Sequence, residues 1–372
     1  MKDAFVKVAA LLSVLWAGHS IALAASPSPG LLKAKQEADA RGYIFETSHD
    51  EIVAKAKKEG KLRVITSLEP ETYASFKKAL EKRYPFLDVH IEEITGTDSN
   101  QRFLLEMNAG VVDWDSVHAA PDFYSKYLPH FKKFDILGMA DHGVLAIPRQ
   151  IVDAKNRNVV VLVSYLGVVA YNKKLIAPDK VPNSWEDFLK PEFKGRKFIV
   201  DIRPQALPSL IPVLGKEWAI DYARKLAAQE PVWARGQSRA ISSITAGEYA
   251  LHHMVNYHST VRAMQKDPSG SLQFKIVEPV PVRLTLAEGV YERARHPYAG
   301  LLFLEYVASP EGQAILDKYS PLASSIYSPG SHNEKLIKGK KVAVSTAEHF
   351  EKQEEWRSQI VEAFGFPKAT LK

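Results

Sequence analysis

Short β-branched runs that pass straight into helix starts restrict the fold of this chain more than any other feature. Residues 62–66 read as a buried strand, and Ser67-Leu68-Glu69-Pro70-Glu71 follows at once, with Ser67 as cap and Pro and Glu in the first turn. Tyr73, Phe76 and Leu80 then share one helix face. Residues 89–94 repeat the pattern, with Gly96-Thr97-Asp98-Ser99 as turn and cap and Phe103, Leu104 and Met107 as the helix face, before a strand over 114–118 that ends at His118. Strands separated by helical crossovers pair in parallel, so these units predict a parallel sheet covered by helices. A second series follows. Residues 159–171 form a long β-rich stretch, Trp185-Glu186-Asp187-Phe188 opens a helix, and 197–201 is a strand ending at Ile202-Arg203-Pro204. The apolar spacing predicts helices over 218–228 and 238–246, strands over 249–255 and 272–277, and a mainly helical stretch from Val290 onward. No internal repeat interrupts this reading. The expected fold class is α/β, with two α/β units in series.

The chain has 372 residues, enough at roughly 100–200 per domain for about two domains. It contains no cysteine, which excludes disulfides, Cys-ligated zinc, iron–sulfur clusters, thiol nucleophiles and a lipid on cysteine sulfur. The net charge of +6 is spread along the chain rather than gathered into a basic run, so no nucleic-acid arm is expected. Lys2 and Lys7 precede an apolar stretch over 8–21, and Ala22-Leu23-Ala24 ends in small residues, so residues 1–24 read as a secretory signal cleaved after Ala24 or Ala25. The stretch is too short and too interrupted to span a bilayer. The mature chain is therefore expected in the periplasm, free of a lipid anchor.

Six phrases in order carry a resemblance: Leu62-Arg63-Val64-Ile65-Thr66-Ser67, residues 76–85, Val169-Ala170-Tyr171-Asn172-Lys173-Lys174-Leu175, Pro182-Asn183-Ser184-Trp185-Glu186-Asp187-Phe188, Phe193-Lys194-Gly195-Arg196 and Ala308-Ser309-Pro310-Glu311-Gly312-Gln313. Over about residues 50–330 the chain resembles bacterial extracellular solute-binding proteins of ABC importers, most of all their iron(III)-binding branch. The resemblance implies the type 2 periplasmic-binding-protein fold, two α/β lobes joined by two crossing strands with the ligand between them. Lobe 1 would comprise 25–162, lobe 2 would comprise 163–280, and 281–372 would return to lobe 1 and add C-terminal helices. The hinge would run through 163–169 and 278–282. It further implies a monomer that delivers a small molecule or metal to an inner-membrane permease, with no cofactor of its own and no enzymatic activity.

Ligands of open α/β sheets sit beyond the carboxyl ends of strands, where helix N-termini offer free N–H groups. Four junctions qualify: Ser67 to Glu69, Thr95 to Ser99 with Thr97, Arg203 to Ser209, and Asn256-Tyr257-His258. Iron-binding relatives carry two adjacent tyrosines at the last junction, and here the pair reads Tyr257-His258. The resemblance thus implies a metal set of Tyr257, His258 and Glu69, if iron(III) is the transported ligand. Each candidate has a second reading. Tyr257 contacts ligand or caps its strand with the ring packed, and His258 contacts ligand or lies on the surface. Arg203 and Arg235 clamp a carboxylate or phosphate, or form surface ion pairs. Trp233 lines the cleft or packs, Tyr165 faces cleft or core, and His118 completes the candidates at the end of its strand. Adjacent His252 and His253 point to opposite faces and cannot chelate together.

An enzyme is the rival class, yet Gly236-Gln237-Ser238-Arg239-Ala240 lacks one glycine of a nucleophile elbow, and Ser238 reads instead as a helix cap. The alternatives that remain are a receptor for an anionic organic compound and a binding protein that feeds a sensor rather than a transporter.

Overall fold

The computed structural model describes residues 27–319 and 322–366; the expected signal segment lies outside the described residues. Helices α1 (Pro29–Ala40) and α2 (His49–Glu59) lead into β1 (Lys61–Thr66), α3 (Pro70–Arg83), β2 (Asp88–Glu93), α4 (Thr97–Ala109) and β3 (Ser116–Ala119). Local chemistry sets these ends. Asp50 and Glu51 open α2, Lys57 and Lys58 close it, and Gly60 takes the left-handed conformation that terminates it. Glu69, not Ser67, occupies the cap position of α3, because Pro70 at the first helical position places the boundary one residue before itself.

Two short helices, α5 (Tyr124–Tyr127) and α6 (Ile136–Asp141), precede the long strand β4 (Val159–Asn172). The segment over 185–188 forms only a 3-10 turn, Glu186–Leu189, rather than opening an α-helix. Lys190 stands before Pro191 and is held extended, so a helix cannot continue through it. Next come β5 (Phe198–Asp201), α7 (Ile211–Leu214), α8 (Lys216–Ala227), β6 (Val232–Ala234), α9 (Gln237–Ala246), β7 (Leu251–Asn256), α10 (Tyr257–Gln265) and β8 (Leu272–Lys275). Gly236 rather than Ser238 caps α9, and Ser238 lies inside its first turn. The return strand β9 (Val280–Val290) leads to α11 (Pro297–Ala308), α12 (Pro310–Tyr319), α13 (His332–Ile337), β10 (Val342–Ser345) and α14 (Phe350–Ala363). Thus the helical C-terminal stretch contains a strand, which pairs in parallel with β9.

The strand order is β2-β1-β3-β9-β4-β7-β5-β6, with β10 on β9 and β8 on β4. β1 pairs in parallel with β2 and β3, and β5 in parallel with β6 and β7, as the strand–helix units require. β4 and β9 run antiparallel to each other and join the two sheets. Residues Val159 to Leu166 of β4 pair with β9, whereas Gly167 to Tyr171 pair with β7. Gly167 stands where the partner changes, and a Cβ there would lie 2.9 Å from the Cβ of Ala206 and 3.1 Å from Pro281. Helices α2, α3 and α11 cover the first sheet over a core that includes Ile52, Phe76, Leu80 and Phe303; Trp185, Phe188, Phe198, Tyr222 and Leu226 fill the second.

Candidate functional site

A cavity of about 1570 Å³ opens where the two sheets meet. Its walls come from the start of α4 (Thr97), the turn after β3 (Asp122) and the start of α5 (Tyr124), the turn after β5 (Arg203, Gln205), the crossing strand β9 (Arg283, Thr285) and α14 (Arg357). Most of these are strand ends or helix starts, the position that open α/β sheets give their ligands.

The lining carries four carboxylates, Asp122, Glu351, Glu354 and Glu362, and three arginines, Arg203, Arg283 and Arg357, two of which meet at one amide. Arg283 Nη1 donates to Gln205 Oε1 at 2.7 Å, and Arg357 Nη1 donates to the same oxygen at 3.1 Å. Arg357 also pairs with Glu354 of its own helix, whereas Arg283 forms no ion pair among the described residues. Burial, aided by the like charge of Arg357, pulls the affinity of Arg283 for its proton down, with Tyr165 opposing. A guanidinium nevertheless stays charged in proteins, so this half-buried one, with no ion pair of its own among the described residues, calls for an anion or water on its cavity side. On the inner side, Arg283 lies over the ring of Tyr165, 5.6 Å from its centroid, and the ring of His258 stacks on Tyr165 at 4.2 Å. Burial and the charges of Arg262 and Arg283 push His258 down to about 4, so it is neutral at physiological pH. Its Nδ1 is buried without a hydrogen-bond partner among the described residues. Arg262 of α10 reaches Glu69 at the start of α3, 3.4 Å away, and links the two sheets across the cleft.

Thr97 and Arg203 line the cavity. Four more do not line it: Tyr165 and His258 stack beside Arg283, Glu69 is exposed in the pair with Arg262, and Ser67 is half-buried at the end of β1. Four candidates are placed otherwise. Tyr257 is buried, and its hydroxyl meets His332 Nε2 at 2.8 Å, away from the cavity lining. Burial and the nearby charge of Asp317 push this phenol up to about 12. His118 is a core residue of β3, pushed down to about 4 by burial. Trp233 packs against Phe364 and Phe366 of the C-terminal segment, 4.8 and 4.7 Å away. Arg235 is exposed ahead of α9 and does not line the cavity. Tyr257, His258 and Glu69 thus engage three different partners, His332, Tyr165 and Arg262. No group of three or more His, Asp or Glu that could hold a metal ion occurs among the described residues.

Gln205, Arg262, Arg283 and Arg357 were not legible as site residues from spacing. Arg283 alone carries a signal, a lone charge in the apolar run Val280-Pro281-Val282-Arg283-Leu284.

The family model for bacterial extracellular solute-binding proteins matches residues 72–338, and the chain belongs to that family. These are transport binding proteins, not enzymes. A search of functionally curated proteins found no match. Among solved structures, the iron-bound HitA of Pseudomonas aeruginosa is 16% identical, with 82% of this chain and 99% of that one covered and a TM-score of 0.56. The Trichodesmium FutA in complex with iron and citrate is 16% identical over 82% and 99%, with a TM-score of 0.63. AfuA of Actinobacillus pleuropneumoniae, with fructose-6-phosphate bound, is 15% identical over 82% and 99%, with a TM-score of 0.58. These likenesses show the two-lobed periplasmic-binding-protein fold.

Proposed function

We propose that this solute-binding protein is the periplasmic receptor of an ABC importer and that its ligand is a small anionic organic compound, a carboxylate or an organophosphate. The observation that carries the reading is Arg283, a half-buried guanidinium on a crossing strand that faces the cavity, shares one amide oxygen with Arg357 and forms no ion pair among the described residues. Arg203 at the same cavity adds a third cation. Iron(III) fits less well, because the hydroxyl of Tyr257 is committed to His332. The signal-like segment over 1–24 supports a periplasmic location, and the lack of cysteine leaves no site for a lipid on cysteine sulfur. With 25–162 and part of 281–372 as one lobe and 163–280 as the other, a ligand contacting both lobes shifts the open–closed equilibrium, and the closed form is what the inner-membrane permease recognises.

A thermal-shift panel of carboxylates, sugar phosphates and iron(III)-citrate tests this, because a ligand that binds only the folded state stabilises it by RT ln(1 + [L]/Kd). Stabilisation by an organic anion without metal, with a smaller radius of gyration in solution scattering, is the expected result. A coloured protein that retains iron on desalting would overturn the reading in favour of iron, and stabilisation by a protein partner alone would favour a sensor-feeding role.

A further inference from the structure

Helix α14 lies beyond the segment matched by the family model, which ends at residue 338. It touches both halves of the molecule. At its start Phe350 packs edge-on against Tyr124, with centroids 5.0 Å apart, beside the first sheet. Trp356, Ile360 and Phe364 are buried in the core of the second. The adjacent face of the same helix turns Gln353, Glu354, Arg357 and Val361 to the cavity. Four-residue steps through 356, 360 and 364 and through 353, 357 and 361 give one helix a packed stripe and a cavity-facing stripe.

Arg357 is the cation on that second stripe, and its Nη1 meets the Gln205 oxygen that already accepts from Arg283. Glu354 balances Arg357, but among the described residues Arg283 has no ion pair and only the partial charge of that amide oxygen, which a bound anion reaching both guanidiniums would satisfy far better. Resting on the anion reading above, we propose that α14 is a third wall of the ligand cleft and that Arg357 completes, with Arg283, a split clamp for the anionic group of the ligand. Recognition is then divided between a strand that crosses between the lobes and a C-terminal helix that the rest of the family match does not include.

Isothermal titration of the mature full chain with fructose 6-phosphate and with citrate, for wild type, Arg283→Ala, Arg357→Ala and Arg357→Lys, tests the clamp. Arg357→Ala should weaken binding by roughly tenfold to a hundredfold, and Lys should recover part of it, since a lysine supplies charge without the two-pronged geometry. Hydrogen exchange on the wild type gives a second readout free of folding artefacts: saturating ligand should slow exchange along 353–361 as well as near 283–285. Affinity unchanged in Arg357→Ala but lost in Arg283→Ala, with no slowing in α14, would overturn the clamp and leave the anion reading standing. Wild-type protein that binds neither probe nor any member of the anion panel would overturn both.

Discussion

The carboxyl of Glu288 lies inside the first sheet, where its partners are the hydroxyls of Thr66 and Ser116 rather than a cation. Burial raises it from the ordinary 4.5 to about 8, with the two hydroxyls opposing. The unfolded chain ionises this group near 4.5 while the folded chain keeps it neutral, so stability falls as pH rises from about 4.5 to about 8 and levels off above that. At roughly 1.4 kcal/mol per pH unit the total is on the order of a few kcal/mol. Glu288→Gln should flatten this slope and melt at a higher temperature than wild type at pH 8; an unchanged slope in chemical unfolding between pH 5 and 8 would refute the assignment. Tyr257 gives a complementary test. Tyr257→Phe removes the bond to His332 and should cost about 1 kcal/mol of stability while leaving ligand affinity as it was. A large loss of affinity in that variant would return Tyr257 to the cleft. Neither environment was legible in the sequence, since the partners lie 222 and 75 positions away.

Among the elements, strands and helices with strong periodicity were legible, and junctions governed by a single neighbour were not. β1 and β2 fall within a residue of their expected ends, because the β-branched run and the flanking glycine or proline are local signals. The strand β10 escaped notice: its Val342-Ala343-Val344-Ser345 is too short to separate from helix without knowing that β9 offers it a free edge. β4 shows why the crossing strands need glycine at one point. Gly167→Val would force side-chain atoms into Ala206 and Pro281 at the place where β4 changes sheets, so it should destabilise by about 1–3 kcal/mol. The same variant should hinder lobe closure, and scattering that still shows full compaction with ligand would argue that the crossing point is not where the lobes bend.

For the whole molecule, the pair of Glu69 before α3 with Arg262 of α10 joins elements of the two halves, and both side chains are largely exposed. Such pairs contribute about 0–1 kcal/mol and are screened by salt. Glu69→Gln should therefore lower ligand affinity by no more than about fivefold at low salt, with the difference vanishing at high salt. A larger loss that salt does not remove would make Glu69 a direct ligand contact instead. The family, the α/β class and the strand-end location of the cleft were determined by the sequence itself, because alternation of β-branched runs with capped helices is a local pattern that crossover geometry turns into a parallel sheet. Which side chains meet in the cleft was decided only by the tertiary structure. Gln205, Arg283 and Arg357 converge from a turn, a crossing strand and the C-terminal helix, up to 152 residues apart in sequence. Tyr257 and His258, adjacent in sequence at a helix start, send one ring to the C-terminal helices and the other to Tyr165. Periodicity specifies the face a residue occupies within its own element, while the partner it meets depends on how the elements pack together.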